Sequence, residues 1–154
     1  RRGPVDQRGR GMSDLSKRRL KAWIRVLAVT RTAEASLREY LRVNHDTTLP
    51  RFDVLAALYR RRDGVTMSEL SRMLLVSNGN ATAVVDRLEA DGQVRRTQSD
   101  TDRRTVFVTL TEAGLAAFET QALGHEAEVD RLFQGLSAED IDRLTEILKR
   151  MAKT

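Results

Sequence analysis

The chain has 154 residues, 40% of them hydrophobic and 32% charged, a composition typical of a single helix-rich domain that is long enough to bury a core. Since it contains no cysteine, disulfides, thiolate metal sites and cysteine redox switches are excluded. No apolar run approaches the length of a membrane span and no signal-peptide pattern stands at the start, so we expect a cytoplasmic protein without a membrane partner.

The formal charge of +5 is distributed unevenly along the chain. Residues 1–12 carry four arginines and one aspartate without periodicity, and they are predicted to be a disordered basic extension. Residues 111–154 carry five basic and nine acidic side chains, which leaves a net charge of +9 for residues 1–110. This asymmetry favours a part that binds a polyanion, joined to a part with another partner.

Two helices are predicted in the first third of the chain. The first runs from Ser13 to about Asn44 and has an imperfect apolar face. The second begins around Thr48 and Pro50, because proline suits the first turn of a helix, and it ends at the basic run before Gly64.

A short third helix, a tight turn and a fourth helix are predicted between Thr66 and Leu88. Thr66 and Glu69 have the spacing of a capping box. This order is typical of a helix-turn-helix, whose second helix reads base edges in the DNA major groove with its N-terminal residues. Small polar residues cluster there and are candidate DNA contacts: Ser77, Asn78, Gly79, Asn80 and Thr82. Alternatively, the first three serve only as an N-cap and a turn.

A basic β-hairpin is predicted from Gln93 to Leu110, directly after the helix-turn-helix. Residues 105–110 read TVFVTL, in which alternate positions are apolar as in a half-buried strand. The tip carries Arg103 and Arg104 after the turn-forming run SDTD at residues 99–102. A cationic tip suits a DNA groove better than a protein core.

Two more helices are predicted, from Thr111 to Phe133 and from Ser137 to about Met151. The last one carries an apolar stripe at helical spacing, formed by Ile141, Leu144, Ile147, Leu148 and Met151. A protomer with one small DNA-binding lobe has little with which to cover this stripe, so we expect it in a homodimer interface. An intramolecular core is the alternative.

The segments VDRLEADGQV (residues 85–94) and SDTDRRTVFVTLTEAG (residues 99–114) resemble the signature of the MarR family of winged helix-turn-helix regulators. The resemblance spans about Leu20 to Met151. It implies a mainly α fold with a small β-hairpin wing, a winged helix-turn-helix at about 50–110, and dimerisation helices at about 13–44 and 111–152, within one domain of residues 13–154. It also implies a homodimer bound to a pseudo-palindromic operator in double-stranded DNA.

The resemblance further implies roles for the hairpin. Arg104 would enter the DNA minor groove, where A·T-rich sequence concentrates negative potential, and Asp102 would orient it through an ion pair. Arg103 is a second candidate, and Arg95 or Arg96 would contact phosphates. Asp102 is otherwise a plain turn residue.

The sequence also contains candidate residues for binding a small-molecule effector. His45 and His125 are far apart in sequence and have no nearby acidic cluster, so neither a metal site nor a cofactor is expected. HDTTLPRFDVLAALYR and MSELSRMLLVSNGN are similar to family members that control aromatic-acid catabolism, including those that respond to hydroxycinnamoyl-CoA thioesters. Under that interpretation an aromatic acid or its CoA ester would stack on Trp23, Phe52 or Tyr59 and pair with Arg31, Arg38 or Arg42. Core or solvated roles are the alternative for these six residues.

The sequence lacks a glycine-rich phosphate loop, a nucleophile elbow and a His-Glu metal motif, so we do not expect an enzyme. The hypothesis is a ligand-responsive repressor. Two alternatives remain, a ligand-independent DNA-binding or architectural protein and a winged-helix module that binds another protein.

Overall fold

Six helices and a three-stranded sheet make up residues 13–153, which are the residues described by the computed structural model. The predicted disordered extension at residues 1–12 lies outside them. The elements are α1 Asp14–His45, α2 Leu49–Arg60, β1 Val65–Thr66, α3 Met67–Leu74, α4 Asn78–Ala90, β2 Val94–Gln98, β3 Val106–Leu110, α5 Glu112–Phe133 and α6 Ala138–Met151. The prediction of a mainly α fold with a hairpin wing is confirmed. The chain divides into two units, one ending at Ala35 within α1 and one running from Ser36 onward.

Each of the six helices in residues 13–153 follows a serine or threonine whose side chain accepts a hydrogen bond from a backbone N–H one turn later, and at α1 this residue is Ser13. Such caps satisfy donors that the helix itself leaves free. The capping box predicted at Thr66 and Glu69 is present, and a second one joins Ser137 to Asp140. The N-caps of the other five helices are Thr48, Thr66, Ser77, Thr111 and Ser137.

The sheet contains one strand that the sequence pattern did not predict. Its order is β1-β3-β2, all antiparallel, and β1 adds only two residues, with Val65 opposite Val108. Gly64 leads into β1 with φ +104, a conformation that favours glycine, and a Cβ there would lie 3.1 Å from the Thr109 methyl group. A strand of two residues is too short to show alternation, so only its pairing with β3 reveals it.

The core of the second unit lies where α2, α3 and α4 pack on the sheet. Its fully buried side chains include Leu55, Leu58, Leu70, Leu88 and Val108. A smaller cluster joins Leu41 of α1 to Leu49 and Phe52 of α2. The two candidate DNA-reading elements, α4 and the hairpin, therefore both contribute side chains to one apolar core.

Helix α6 has no buried residue in the single chain. The predicted apolar stripe is present, yet Ile147 and Leu148 are each 45% exposed. A helix with one strongly apolar face that remains exposed needs a covering surface.

Candidate nucleic-acid interface

The two helices of the helix-turn-helix meet through a buried hydroxyl. Ser71 of α3 is 5% exposed and donates a hydrogen bond to the side-chain oxygen of Asn78 at the start of α4. Leu75 forms the turn between them in the left-handed conformation, with φ 57. The Asn78 carboxamide oxygen therefore helps to hold α3 against α4, which is a structural role that the sequence pattern did not indicate.

The start of α4 presents the other predicted contacts to solvent. Ser77, Gly79 and Asn80 are exposed, and the Ser77 hydroxyl accepts a hydrogen bond from the Asn80 N–H at 3.2 Å. A Cβ at Gly79 would meet nothing closer than the Ser77 hydroxyl at 4.0 Å, so this end of the helix is open. The Thr82 hydroxyl donates to the Asn78 carbonyl at 2.8 Å. The exposed polar groups of Ser77, Gly79 and Asn80 suit contact with base edges or phosphates.

The tip of the hairpin is a turn built around Asp102. Its carboxylate accepts hydrogen bonds from the Arg104 N–H at 3.0 Å and from the Thr105 hydroxyl at 3.2 Å. The predicted ion pair with the Arg104 guanidinium is not formed among the described residues. Because the carboxylate is occupied by the turn itself, Asp102 shapes the backbone and leaves the guanidinium free.

Arg103 and Arg104 are exposed and form no ion pair within residues 13–153. Several other arginines have a carboxylate beside them, for example Arg87, which pairs with Asp91 at 3.2 Å. Exposed guanidinium groups that have no carboxylate partner keep their hydrogen-bond donors available for an external anion. The tip is therefore the part of the hairpin best suited to a phosphate-lined groove.

Arg95 and Arg96 have different environments, although the sequence pattern did not distinguish them. Arg95 is exposed, but Arg96 pairs with two carboxylates of α4, with Nη2 2.5 Å from Asp86 Oδ1 and Nη1 2.9 Å from Glu89 Oε1. The predicted phosphate contact therefore fits Arg95, and for Arg96 it conflicts with the observed pairing. Asp86 and Glu89 are three residues apart on α4, a spacing that could have indicated a shared partner.

The contacts between Arg96 and the two carboxylates shift the pKa values of Arg96 and Glu89. Hydrogen bonds from the backbone N–H and the guanidinium of Arg96 lower the pKa of Glu89. Burial opposes the charge of Arg96, but its hydrogen bonds to Asp86 and Glu89 leave the pKa of its guanidinium above the ordinary value. Glu89 and Arg96 are thus both charged at neutral pH.

The predicted effector contacts do not share one environment. Phe52 is a core residue rather than an open stacking surface, because it is 4% exposed and its ring stacks on His125 and Phe118 at centroid distances of 4.3 and 5.6 Å. Tyr59 is half-exposed, packs on Phe118 at 4.6 Å and has the Arg62 guanidinium 5.8 Å from its ring centroid. Of the remaining four, Trp23 and Arg31 lie in the first unit, and Arg38 and Arg42 lie on the last part of α1.

A polar group that the sequence did not single out lies on α5, the helix that also carries Phe118 and His125. Gln121 is 6% exposed, and its side-chain oxygen has no hydrogen-bond partner among the described residues. Its backbone carbonyl accepts a hydrogen bond from the Tyr40 hydroxyl at 3.0 Å, and that hydroxyl also lies 2.7 Å from His45 Nε2. A buried acceptor without a donor is costly, so this position favours the approach of a donor.

Within residues 13–153, no group of three or more His, Cys, Asp or Glu side chains is placed to hold a metal ion. No helix in the same range is long and apolar enough to cross a membrane.

The chain is similar to known regulators over most of its length. A family model described as "MarR family" matches residues 45–105. The HTH-type transcriptional regulator MhqR of Bacillus subtilis is 30% identical over 137 residues, which cover 89% of this chain and 93% of that protein. The match thus extends well beyond the helix-turn-helix.

Two solved structures share the fold. AbsC, a MarR family transcriptional regulator from Streptomyces coelicolor, superposes with a TM-score of 0.82 at 30% identity and covers 94% of this chain and 97% of that chain. A mutant of MarR from E. coli, complexed with operator DNA, superposes with a TM-score of 0.78 at 30% identity, covering 90% of this chain and 99% of that chain. The similarity in sequence and the similarity in structure both extend to the helices outside the winged region.

Proposed function

Since the chain belongs to the MarR family of DNA-binding transcriptional regulators, we propose that it is a dimeric, ligand-responsive repressor of a pseudo-palindromic operator. The observation that carries the proposal is the hairpin tip, where Arg103 and Arg104 stand exposed and unpaired on a turn shaped by Asp102, within the described part of the chain. The tip follows a helix whose exposed N-terminal end carries small polar groups.

In this mechanism α4 reads the major groove with Ser77, Gly79, Asn80 and neighbouring residues. Asn78 contributes its amide nitrogen, because its oxygen is occupied by Ser71. Arg104 enters the adjacent minor groove, and Arg95 contacts a phosphate from the exposed side of β2. Phosphate contacts set affinity and salt dependence, whereas the groups at the start of α4 set sequence preference.

Dimerisation places two such readers on one face of the DNA. The exposed apolar stripe of α6 supports this step, because it is the kind of surface that a second copy covers. The domain organisation predicted from the sequence, with dimerisation helices at both ends of a winged region, belongs to the same proposal. The complex would form in the cytoplasm, where the DNA lies.

The effector is proposed to be a small aromatic acid or its CoA thioester. Support comes from the half-exposed ring of Tyr59, which packs on Phe118 of α5, and from the unsatisfied oxygen of Gln121, which a hydroxyl or a protonated carboxyl group could satisfy. Binding there would shift α5 relative to α2, and α5 begins directly after the wing. A ligand would thereby change the spacing of the two DNA readers.

The test is a gel shift on the DNA upstream of the protein's own gene. We expect Arg104→Ala to weaken binding by about 1–3 kcal/mol, roughly five- to 160-fold, with the dimer intact. Arg60→Ala, which removes the same charge from the exposed end of α2, is the matched control and should retain wild-type affinity. Equal affinity of Arg104→Ala and the wild type would refute the wing role.

Adding benzoate, hydroxycinnamate or hydroxycinnamoyl-CoA to the same assay tests the effector. Release of the operator by one of these compounds supports a ligand-responsive repressor. A shift that none of them alters favours a ligand-independent DNA-binding protein. The absence of any salt-dependent DNA affinity would favour a winged-helix protein-binding module.

A further inference from the structure

We propose that Arg96 is a positioning residue that joins the recognition helix to the wing, so that both DNA readers enter their grooves at one fixed spacing. With Asp86 and Glu89 it forms a cluster that we call the α4–β2 clamp. The inference rests on the proposed function, because it assigns no DNA contact to the clamp and takes those contacts to be made by α4 and the wing tip.

Three hydrogen bonds make up the clamp, and each one crosses from α4 to β2. The Arg96 guanidinium donates to Asp86 Oδ1 at 2.5 Å and to Glu89 Oε1 at 2.9 Å. The backbone N–H of Arg96 donates to Glu89 Oε2, also at 2.9 Å. One side chain of α4 thus binds both the main chain and the side chain of the same wing residue, which restrains both the position and the rotation of the strand.

The hydrogen bond from the Arg96 backbone N–H also occupies a donor on the outer edge of the sheet. In the order β1-β3-β2, β2 is an outer strand, and the Arg96 N–H is directed to Glu89 rather than to β3. An outer strand with free N–H groups can shift or pair elsewhere. The Glu89 carboxylate occupies this donor and holds the outer edge of the wing against α4.

Burial and charge separate Arg96 from the DNA-contacting arginines. Its side chain is 25% exposed, and Arg95, its neighbour on the other face of the strand, is exposed. The clamp contains one cation and two anions, so it carries a net negative charge and would not attract a phosphate. It lies midway along β2, two residues before the strand ends and the tip begins.

Neutralising the acids of the clamp gives a test in which electrostatics and positioning predict opposite results. The double variant Asp86→Asn/Glu89→Gln removes two negative charges from α4, the proposed recognition helix. Simple electrostatics predicts tighter operator binding, whereas the clamp predicts operator binding weakened about tenfold, with non-specific DNA bound as well as or better than by the wild type.

The salt dependence of operator binding separates positioning from phosphate contact at Arg96. Arg95→Ala is the matched control on the same strand and should lower the slope of log K against log salt by about 0.9. Arg96→Ala should weaken binding about tenfold with an unchanged slope, and Arg96→Lys should recover part of the loss because it keeps one cation in the clamp.

Amide hydrogen exchange of residues 94–98 tests the clamp without DNA. Faster exchange there in Asp86→Asn/Glu89→Gln, with slow exchange retained in α2 and α5, is expected for a released wing on a folded lobe. Unchanged exchange, tighter operator binding by the acid variant, or a slope lowered in Arg96→Ala as in Arg95→Ala would each overturn the proposal. A wild type that fails to bind the operator while the exchange result holds would refute the proposed function and leave the α4–β2 contact established.

Discussion

His125 is a titratable residue placed inside an aromatic cluster. Its ring stacks on Phe52 at 4.3 Å, and burial lowers the pKa of its imidazole below the ordinary value of 6.5. The folded protein therefore holds this side chain neutral at pH values where the unfolded chain is protonated. The contribution of His125 to stability is fully present above about pH 6.5 and is lost as the pH falls from there towards the lowered pKa.

Replacing His125 should remove one source of acid sensitivity. We expect the wild-type melting temperature to fall between about pH 7.5 and about pH 5.5, and we expect His125→Phe to show a smaller fall, because phenylalanine keeps the stacking and cannot be protonated. Thermal denaturation followed by circular dichroism at both pH values measures the difference. An equal fall in both proteins would show that other groups set the response.

Single residues also decide the chemistry of the wing. Asp102 and Arg104 are neighbours in a turn, and the carboxylate bonds to the backbone N–H rather than to the guanidinium. The arginine therefore reaches solvent unpaired in the free protein. Identical residue types at Arg95 and Arg96 have different environments, because alternate residues of a strand point to opposite faces and only one face meets α4.

At the scale of elements, the start of α5 is joined to the end of the α4–β2 connection. The Thr111 hydroxyl donates to the Gly92 carbonyl at 2.6 Å, and the Thr111 N–H donates to the Gln93 carbonyl at 3.1 Å. Gly114 lies against the same segment, so that a Cβ at this position would stand 1.9 Å from the Gln93 oxygen. The junction between the wing and α5 therefore requires glycine for space.

Gly114→Ala should open this junction. Because the clash is with backbone, the helix start must move, and we expect a loss of about 1–3 kcal/mol in the free energy of unfolding. Gly135→Ala is the matched control, since a Cβ at Gly135 meets nothing within 4 Å and its stability should be unchanged or slightly raised. Urea denaturation of the two variants checks the contrast, and equal stabilities would contradict it.

At the scale of the whole molecule, the exposed stripe of α6 is the surface on which the proposed dimer depends. Ile141, Ile147, Leu148 and Met151 are between 38% and 59% exposed in the single chain. Apolar side chains arranged along one face of a helix gain most when a second copy covers them, and a two-fold dimer of DNA readers binds two half-sites.

Ile147→Glu should therefore produce a monomer. A charge in an apolar interface is costly unless it is paired, so we expect sedimentation at the monomer mass and loss of operator binding. Lys149→Glu adds a negative charge on the opposite face of α6 and gives up only an exposed pair with Glu146, so it should remain dimeric. A dimeric Ile147→Glu would place the interface elsewhere.

Local signals in the chain were sufficient for the six helices, their caps and the hairpin. Thr66, Ser77 and Ser137 cap helices with contacts three residues away, and Val108 at the centre of the alternating run in β3 is the buried residue of that strand. These features arise between residues close in sequence or repeat along one element, so they can be read without knowing the fold.

Contacts between distant residues were decided only by the tertiary structure. The pairing of Val65 with Val108, the burial of Phe52 against α5 and the choice of Arg96 over Arg95 as the partner of α4 each depend on how elements pack. A two-residue strand, an aromatic ring and two adjacent arginines look the same in sequence whether they face a neighbour or water. The energy that distinguishes them comes from long-range burial and pairing, which no local pattern contains.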